Sequence, residues 1–221
     1  MECWAHTLRA VAFDMDGLLV NTEDLYTDVG ETILNRRGKK FTRQLKMAMM
    51  GLPGPQAWDV MITSEGLDDT AQRLAEEADE IFVAILPARL QILPGLEMLL
   101  DYLDQRQIPS CVATSSSHGF ARQVLELVGI RQRFQFVVTA EDVLQGKPFP
   151  DIYLEAAHRL NVQPWEMLVL EDSHHGSCAG VAAGACTIAV PGDHSSDHDF
   201  SRVHYRANSL ADPRIIEILG P

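Results

Sequence analysis

The sequence predicts an α/β protein: a doubly wound, Rossmann-like parallel sheet with an all-helical segment inserted after its first strand. Three observations lead there. From Pro94 onward, short apolar runs alternate with amphipathic stretches, the pattern of parallel strands covered on both faces by helices. Between Thr22 and Ile92 there is no strand-like run. Ahead of both, the apolar run Val11-Ala12-Phe13 stops at Asp14-Met15-Asp16-Gly17. Carboxylates are depleted in strands and costly to bury unpaired, so this strand end points to chemistry.

Each element has its own signal. Leu96, Leu99, Leu100 and Leu103 follow Pro94-Gly95 at helical spacing. Residues 109–113 read as a strand, 118–128 as a helix ending near Gly129, and 136–138 as a short strand. A helix over 151–160 is entered through Pro148 and Pro150, and a strand over 167–170 ends in Glu171-Asp172. Residues 176–185 read as a helix and 186–190 as the next strand. In the insert, Leu25, Val29 and Ile33 share one helical face, as do Leu74, Ala78, Ile81 and Ile85. The expected division is a core of residues 1–21 and 93–221 and a helical cap over 22–92, with Leu93-Pro94-Gly95 as the return hinge.

A chain of 221 residues suits one large domain or a core with an insert. A formal net charge of −13 disfavours nucleic acid, whose backbone needs a basic surface. No apolar run approaches the roughly 18 residues of a membrane span. The opening Met1-Glu2-Cys3-Trp4-Ala5-His6 lacks the pattern of a signal peptide. Cys3, Cys111, Cys178 and Cys186 form no CxxC pair and read as reduced thiols of a cytoplasmic protein, expected as a monomer or weak dimer. The negative field repels a phosphorylated ligand at long range. A metal, a lysine and backbone N–H groups would have to reverse it locally.

Four polar segments fall at strand ends or helix starts: Asp14-Met15-Asp16-Gly17, Thr114-Ser115-Ser116-Ser117, Gly146-Lys147-Pro148 and Glu171-Asp172. In open α/β sheets, ligands bind beyond the carboxyl ends of the strands, so these segments could form one site. Two aspartates one residue apart repel unless a cation lies between them. Mg²⁺ is the expected one, because it takes oxygen ligands through one or two carboxylates plus substrate phosphate. Asp14, ionised at neutral pH, can attack phosphorus and form an aspartyl-phosphate. Asp16 can protonate the leaving alkoxide and then take a proton from water. Asp172 would complete the metal site. Thr114, with Ser115 beside it and backbone N–H groups at the following helix start, would bind the phosphoryl oxygens. Lys147 would neutralise charge on Asp14 and the transferring group.

These segments, in this order and with a helical insert after the first, resemble the haloacid dehalogenase superfamily. The strings Phe13-Asp14-Met15-Asp16-Gly17, Gly146-Lys147-Pro148-Phe149-Pro150-Asp151 and Glu171-Asp172-Ser173-His174-His175-Gly176 look like its branch with a small helical cap. That branch includes β-phosphoglucomutase and sugar-phosphate and nucleotide phosphatases. The resemblance implies Asp14 as nucleophile and Asp16 as acid/base. It implies Mg²⁺ held by Asp14, the backbone carbonyl of Asp16, and Asp172, with Glu171 acting through metal-bound water. Halide-removing and phosphonate-cleaving relatives lack an acid at the position of Asp16, so its presence points to phosphate esters. The mutase pattern has a histidine where Tyr26 stands and an arginine in the cap shortly after a glycine. Here Gly51 is followed by Leu52-Pro53-Gly54-Pro55-Gln56, so a phosphatase is favoured and a phosphomutase is the alternative. Asn21 to Tyr26 and Met50-Gly51 look like the pseudouridine-5′-phosphatase group, which makes Tyr26 and Gly51 candidate substrate contacts. Residues 22–26 and 50–58 are the expected cleft segments of the cap.

Other features read more plainly. Gly176, Gly180 and Gly184 fit neither GxGxxG nor GxxxxGK[ST] and predict a small-residue helix packed on the sheet. His194 and His198 fall in a Gly- and Ser-rich loop rather than a metal-binding helix. His174 and His175 are expected at the site rim without ligating, and His118 is a candidate substrate contact. Arg36, Arg37, Lys39, Lys40, Arg43 and Lys46 read as a solvated helix end and loop that could draw in anions.

Overall fold

The computed structural model of the protein describes residues 4–49 and 54–220. The chain divides into two compact units, Met1–Asn21 with Gln91–Pro221, and Thr22–Leu90. In chain order the elements are β1 (Ala10–Phe13), α1 (Thr22–Arg36), α2 (Arg43–Met49), α3 (Gly54–Glu65), α4 (Ala71–Arg89), α5 (Leu96–Gln105), β2 (Ser110–Ala113) and α6 (His118–Leu127). They continue with β3 (Val137–Val138), α7 (Asp151–Arg159), β4 (Met167–Glu171), α8 (His174–Ala182), β5 (Cys186–Ala189), β6 (Tyr205–Arg206) and α9 (Pro213–Leu219).

The first unit is a parallel sheet in the order β3-β2-β1-β4-β5-β6, the doubly wound arrangement with β1 at the switch point. Every residue of β1, β2, β4 and β5 is buried, as strands covered on both faces must be. Small side chains let α7 lie close: Tyr153, Ala156 and Ala157 pack in one cluster with Ala10, Ala12, Cys111 and Val169. Register places the site. Phe13 pairs with Val112 on one side and Leu170 on the other, so the next residues along the three strands, Asp14, Ala113-Thr114 and Glu171-Asp172, leave the sheet together.

The division between units falls at 90/91, two residues before the expected 92/93. Gln91 and Ile92 belong to the sheet-bearing unit because their backbone is tied there. Asn21 N–H donates to the Gln91 carbonyl at 3.1 Å, Gln91 N–H to Asn21 Oδ1 at 2.7 Å, and Val20 bridges Ile92.

In the helical unit α1 packs on α4, and α3 on both α2 and α4. Leu25, Val29 and Ile33 are buried on α1. On α4 the buried face comprises Leu74, Ala78, Ile81, Phe82 and Leu86. Ile85 is only partly covered, because the stripe follows Phe82 and Leu86 instead. Thr70 starts α4 by accepting from Arg73 N–H at 3.3 Å.

The helix expected over 176–185 begins two residues earlier and stops at Ala182. Ser173 caps it, its hydroxyl accepting from Gly176 N–H at 3.1 Å. Gly176 and Gly180 meet Glu171 and Thr187, the close packing expected of a small-residue helix. Gly184 lies beyond the helix in the left-handed region, φ +78°, and serves as its stop.

Candidate active site

Asp14 is the first residue past β1, its N–H bonded to the Leu170 carbonyl at 3.0 Å. Its Oδ1 accepts from Lys147 Nζ. The ammonium also donates to the Ala113 carbonyl at 2.9 Å and to Glu171 Oε1 at 2.7 Å. Lys147 is thus fixed by the ends of three adjacent strands, and its Nζ sits 5.2 Å from the Tyr153 ring centroid, within cation–π range.

Glu171 is fully buried at the end of β4. Besides Lys147, Oε1 accepts from Tyr153 OH at 2.9 Å; Oε2 accepts from Ser173 N–H at 3.0 Å and Ser173 Oγ at 2.9 Å. Gly176 is required beneath it, since a Cβ there would overlap the carboxylate. Asp172 follows, with Ser195 Oγ 3.4 Å from Oδ2.

Asp16 is held from the β2 side. Ser116 Oγ donates to its Oδ2 at 2.8 Å and Thr114 Oγ1 at 3.3 Å. Ser116 N–H returns to Thr114 Oγ1 at 3.1 Å, closing a hydroxyl-capped turn at the strand end. Ser117 then caps α6, accepting from Phe120 N–H at 3.3 Å.

Burial pushes the Asp14 carboxyl well above its ordinary value; Lys147 opposes this, while the charges of Glu171 and Asp16 add to it. Burial would pull the Lys147 ammonium down, but Asp14 and Glu171 outweigh it and hold it well above the usual lysine value. Carboxylate oxygens of Asp14, Glu171 and Asp172 lie within 4.8 Å of one another, and the Lys147 ammonium bonds the first two. Hard oxygen donors with excess negative charge suit Mg²⁺.

The structure thus gathers Asp14, Asp16, Thr114, Lys147, Glu171 and Asp172 at one sheet edge. Ser115 beside them is exposed; Ser116 reaches Asp16, because the turn brings back the residue two positions after Thr114. His118 is turned to other partners, with Nε2 3.1 Å from Asp142 Oδ2 and its N–H donating to Glu141 at 2.8 Å. His174 Nδ1 lies 2.6 Å from the Asp199 carbonyl. Tyr26 is on α1 of the helical unit, half-exposed, its ring 4.8 Å from Phe82. Gly51 lies outside the described residues. The basic run is largely exposed, as expected, but some of its members also have partners. Arg36 and Arg37 pair with Glu77, Arg37 also pairs with Asp69, and Lys46 donates to Thr27 Oγ1 at 2.6 Å.

Tyr153, Ser173 and Ser116 were given no role by the sequence, and Gly176 was read for packing alone. The signals were present: a serine two residues beyond Thr114, and a serine and a glycine just beyond the acidic pair. Nothing local marks Tyr153.

Fold and site together are those of an α/β hydrolase with an acidic, lysine-bearing centre at the switch point of its sheet. Residues 11–190 match the model of the haloacid dehalogenase-like hydrolases, and the chain belongs to that family. It is 35% identical to a "Probable pseudouridine-5'-phosphatase" of Drosophila melanogaster, over 90% of this chain and 89% of that protein. It is 32% identical to a phosphorylated carbohydrates phosphatase of Thermotoga maritima, over 80% and 82%. In fold it is similar to a HAD family hydrolase of Deinococcus radiodurans crystallised with phosphate and sodium, at a TM-score of 0.82 and 24% identity, over 97% and 98% of the two chains.

Proposed function

We propose that this protein is a Mg²⁺-dependent phosphatase that hydrolyses a small phosphorylated metabolite through an aspartyl-phosphate at Asp14. The observation that carries the reading is the unlike setting of the two aspartates. Asp14 is paired with an ammonium, Lys147, which opposes the upward push of burial and favours the ionised, nucleophilic form. Asp16 accepts from two hydroxyls, which can donate or accept, so these two contacts survive in both protonation states. That is what a group must tolerate if it is to give a proton and then take one.

In the first step an Asp14 oxygen bonds to phosphorus, the bond to the leaving oxygen breaks, and that oxygen takes the Asp16 proton. In the second, water attacks phosphorus, its proton passes to Asp16, and the bond to Asp14 breaks to release phosphate. Lys147 keeps Asp14 aligned and offsets charge on the phosphoryl group. Thr114 Oγ1 and the backbone N–H groups after β2 bind its oxygens. Asp14, Asp172 and the Asp16 carbonyl would hold Mg²⁺, which supplies Lewis-acid charge.

The relatives' named substrates, a pseudouridine phosphate and phosphorylated carbohydrates, support a sugar phosphate or nucleotide-like monophosphate as substrate. The helical unit takes the role of cap, as in the family. Free Cys111 and Cys186, buried in strands, support a reducing, cytoplasmic setting.

The test is a panel of phosphorylated sugars, nucleotides and glycolytic acids, scored for phosphate release with and without Mg²⁺. Metal-dependent release from a subset is expected. Silence across the panel with metal present overturns the reading, and isomerised product exceeding free phosphate assigns a phosphomutase instead.

A further inference from the structure

Glu171 belongs to the carboxylate group by distance, yet this chain fills its acceptor capacity. An ionised carboxylate offers about four lone-pair sites. Lys147 and Tyr153 take two on Oε1, at 2.7 and 2.9 Å, and the Ser173 N–H and hydroxyl take two on Oε2, at 3.0 and 2.9 Å. The donors are themselves fixed. Tyr153 is fully buried in the cluster under β1 and β4, and Ser173 is the N-cap of α8. A cation entering here finds Asp14 and Asp172 but not a third carboxylate. Mg²⁺ is content with one or two carboxylates, keeping waters and substrate phosphate for the rest. Ca²⁺ takes six to eight oxygens and gains from each added carboxylate.

We infer that Tyr153, acting through Glu171, is a positioning residue that sets the preference of this site for Mg²⁺ over Ca²⁺. The inference rests on the metal-dependent reading above. Removing the phenol hydroxyl would free one Oε1 lone pair for a large cation while leaving Lys147 in place.

The experiment titrates the full chain, without substrate, with Mg²⁺ and separately with Ca²⁺, read by calorimetry and by the shift in melting temperature. Wild type is compared with Tyr153→Phe and Ser173→Gly. The second variant keeps the backbone donor, and glycine is tolerated at an N-cap, so it stands if the first fails to fold. Both should bind Ca²⁺ about tenfold more tightly, the scale of changes to partners of metal ligands, with Mg²⁺ affinity moving less. An unchanged ratio, with Mg²⁺ still bound by wild type, overturns the inference alone and leaves Tyr153 as core filling. No response of wild type to either ion overturns the metal reading and the inference with it.

Discussion

Each unit holds a cation between two carboxylates, and the two uses differ. In the helical unit Arg37 Nη2 lies 2.7 Å from Asp69 and 2.6 Å from Glu77, with Arg36 also on Glu77 at 2.7 Å. In the sheet unit Lys147 lies between Asp14 and Glu171. The Arg37 side chain is 24% exposed and that of Lys147 is 5% exposed. Hydrogen bonds from Arg37 hold Asp69 and Glu77 below the usual carboxylate range, whereas burial drives Asp14 the other way. Three arginines, Arg36, Arg37 and Arg73, answer two carboxylates in one place. In the other one lysine is shared by Asp14 and Glu171, with Asp172 close by. The more exposed group ties helices together, while the buried one gathers the perturbed carboxylates that mark functional sites.

The largest effect should come from Asp14→Asn. The nucleophile is gone, and turnover should fall by more than about 10⁴-fold, the scale seen when such groups are removed. Because ionised Asp14 is disfavoured by its burial, the metal-free melting temperature should stay at or above that of wild type. Phosphate release close to wild type would remove Asp14 from the nucleophile role.

Lys147→Met should lose both activity and stability. It strands buried carboxylates, which costs about 3–5 kcal/mol when one partner of a buried pair is deleted. The measurement is the denaturant midpoint of metal-free protein; a loss as small as that of an exposed pair would erase the contrast drawn above. Gly176→Ala comes next. Its Cβ would overlap the Glu171 carboxylate, and relief by shifting α8 should cost about 1–3 kcal/mol. It should also lower kcat, since Glu171 positions Lys147. Full activity in that variant would show the clamp on Glu171 to be slack.

How much of this was legible depends on whether a signal is local. Asp14, Asp16, Thr114, Lys147 and the Glu171-Asp172 pair end apolar runs or precede helices, so a parallel sheet must bring them to one edge. The bond from Ser116 to Asp16 was not legible, because it depends on a hydrogen-bonded turn rather than on residue type. Tyr153 sits on α7, eighteen residues from the glutamate it bonds, and reads as an ordinary core residue. The two-residue strand β6, Tyr205–Arg206, is too short for any period to show. The partners of Arg37 were not legible because they lie 32 and 40 residues away.

The smallest effect sharpens the comparison from the other side. Arg37→Met should cost about 1 kcal/mol, as for a partly exposed ion pair, or about 2–4 °C in melting temperature for a chain of this size. Its pH dependence follows from the lowered values of Asp69 and Glu77. A carboxylate whose pKa is depressed by folding stabilises fully above the ordinary range, about 4, and that contribution is lost as pH falls through the depressed value. The gap in melting temperature between wild type and Arg37→Met should therefore be widest near neutrality and close as pH drops below about 4. A gap that persists at low pH would mean that Arg37 works through its aliphatic stem rather than its charge, and the parallel between Arg37 and Lys147 would then be one of shape alone.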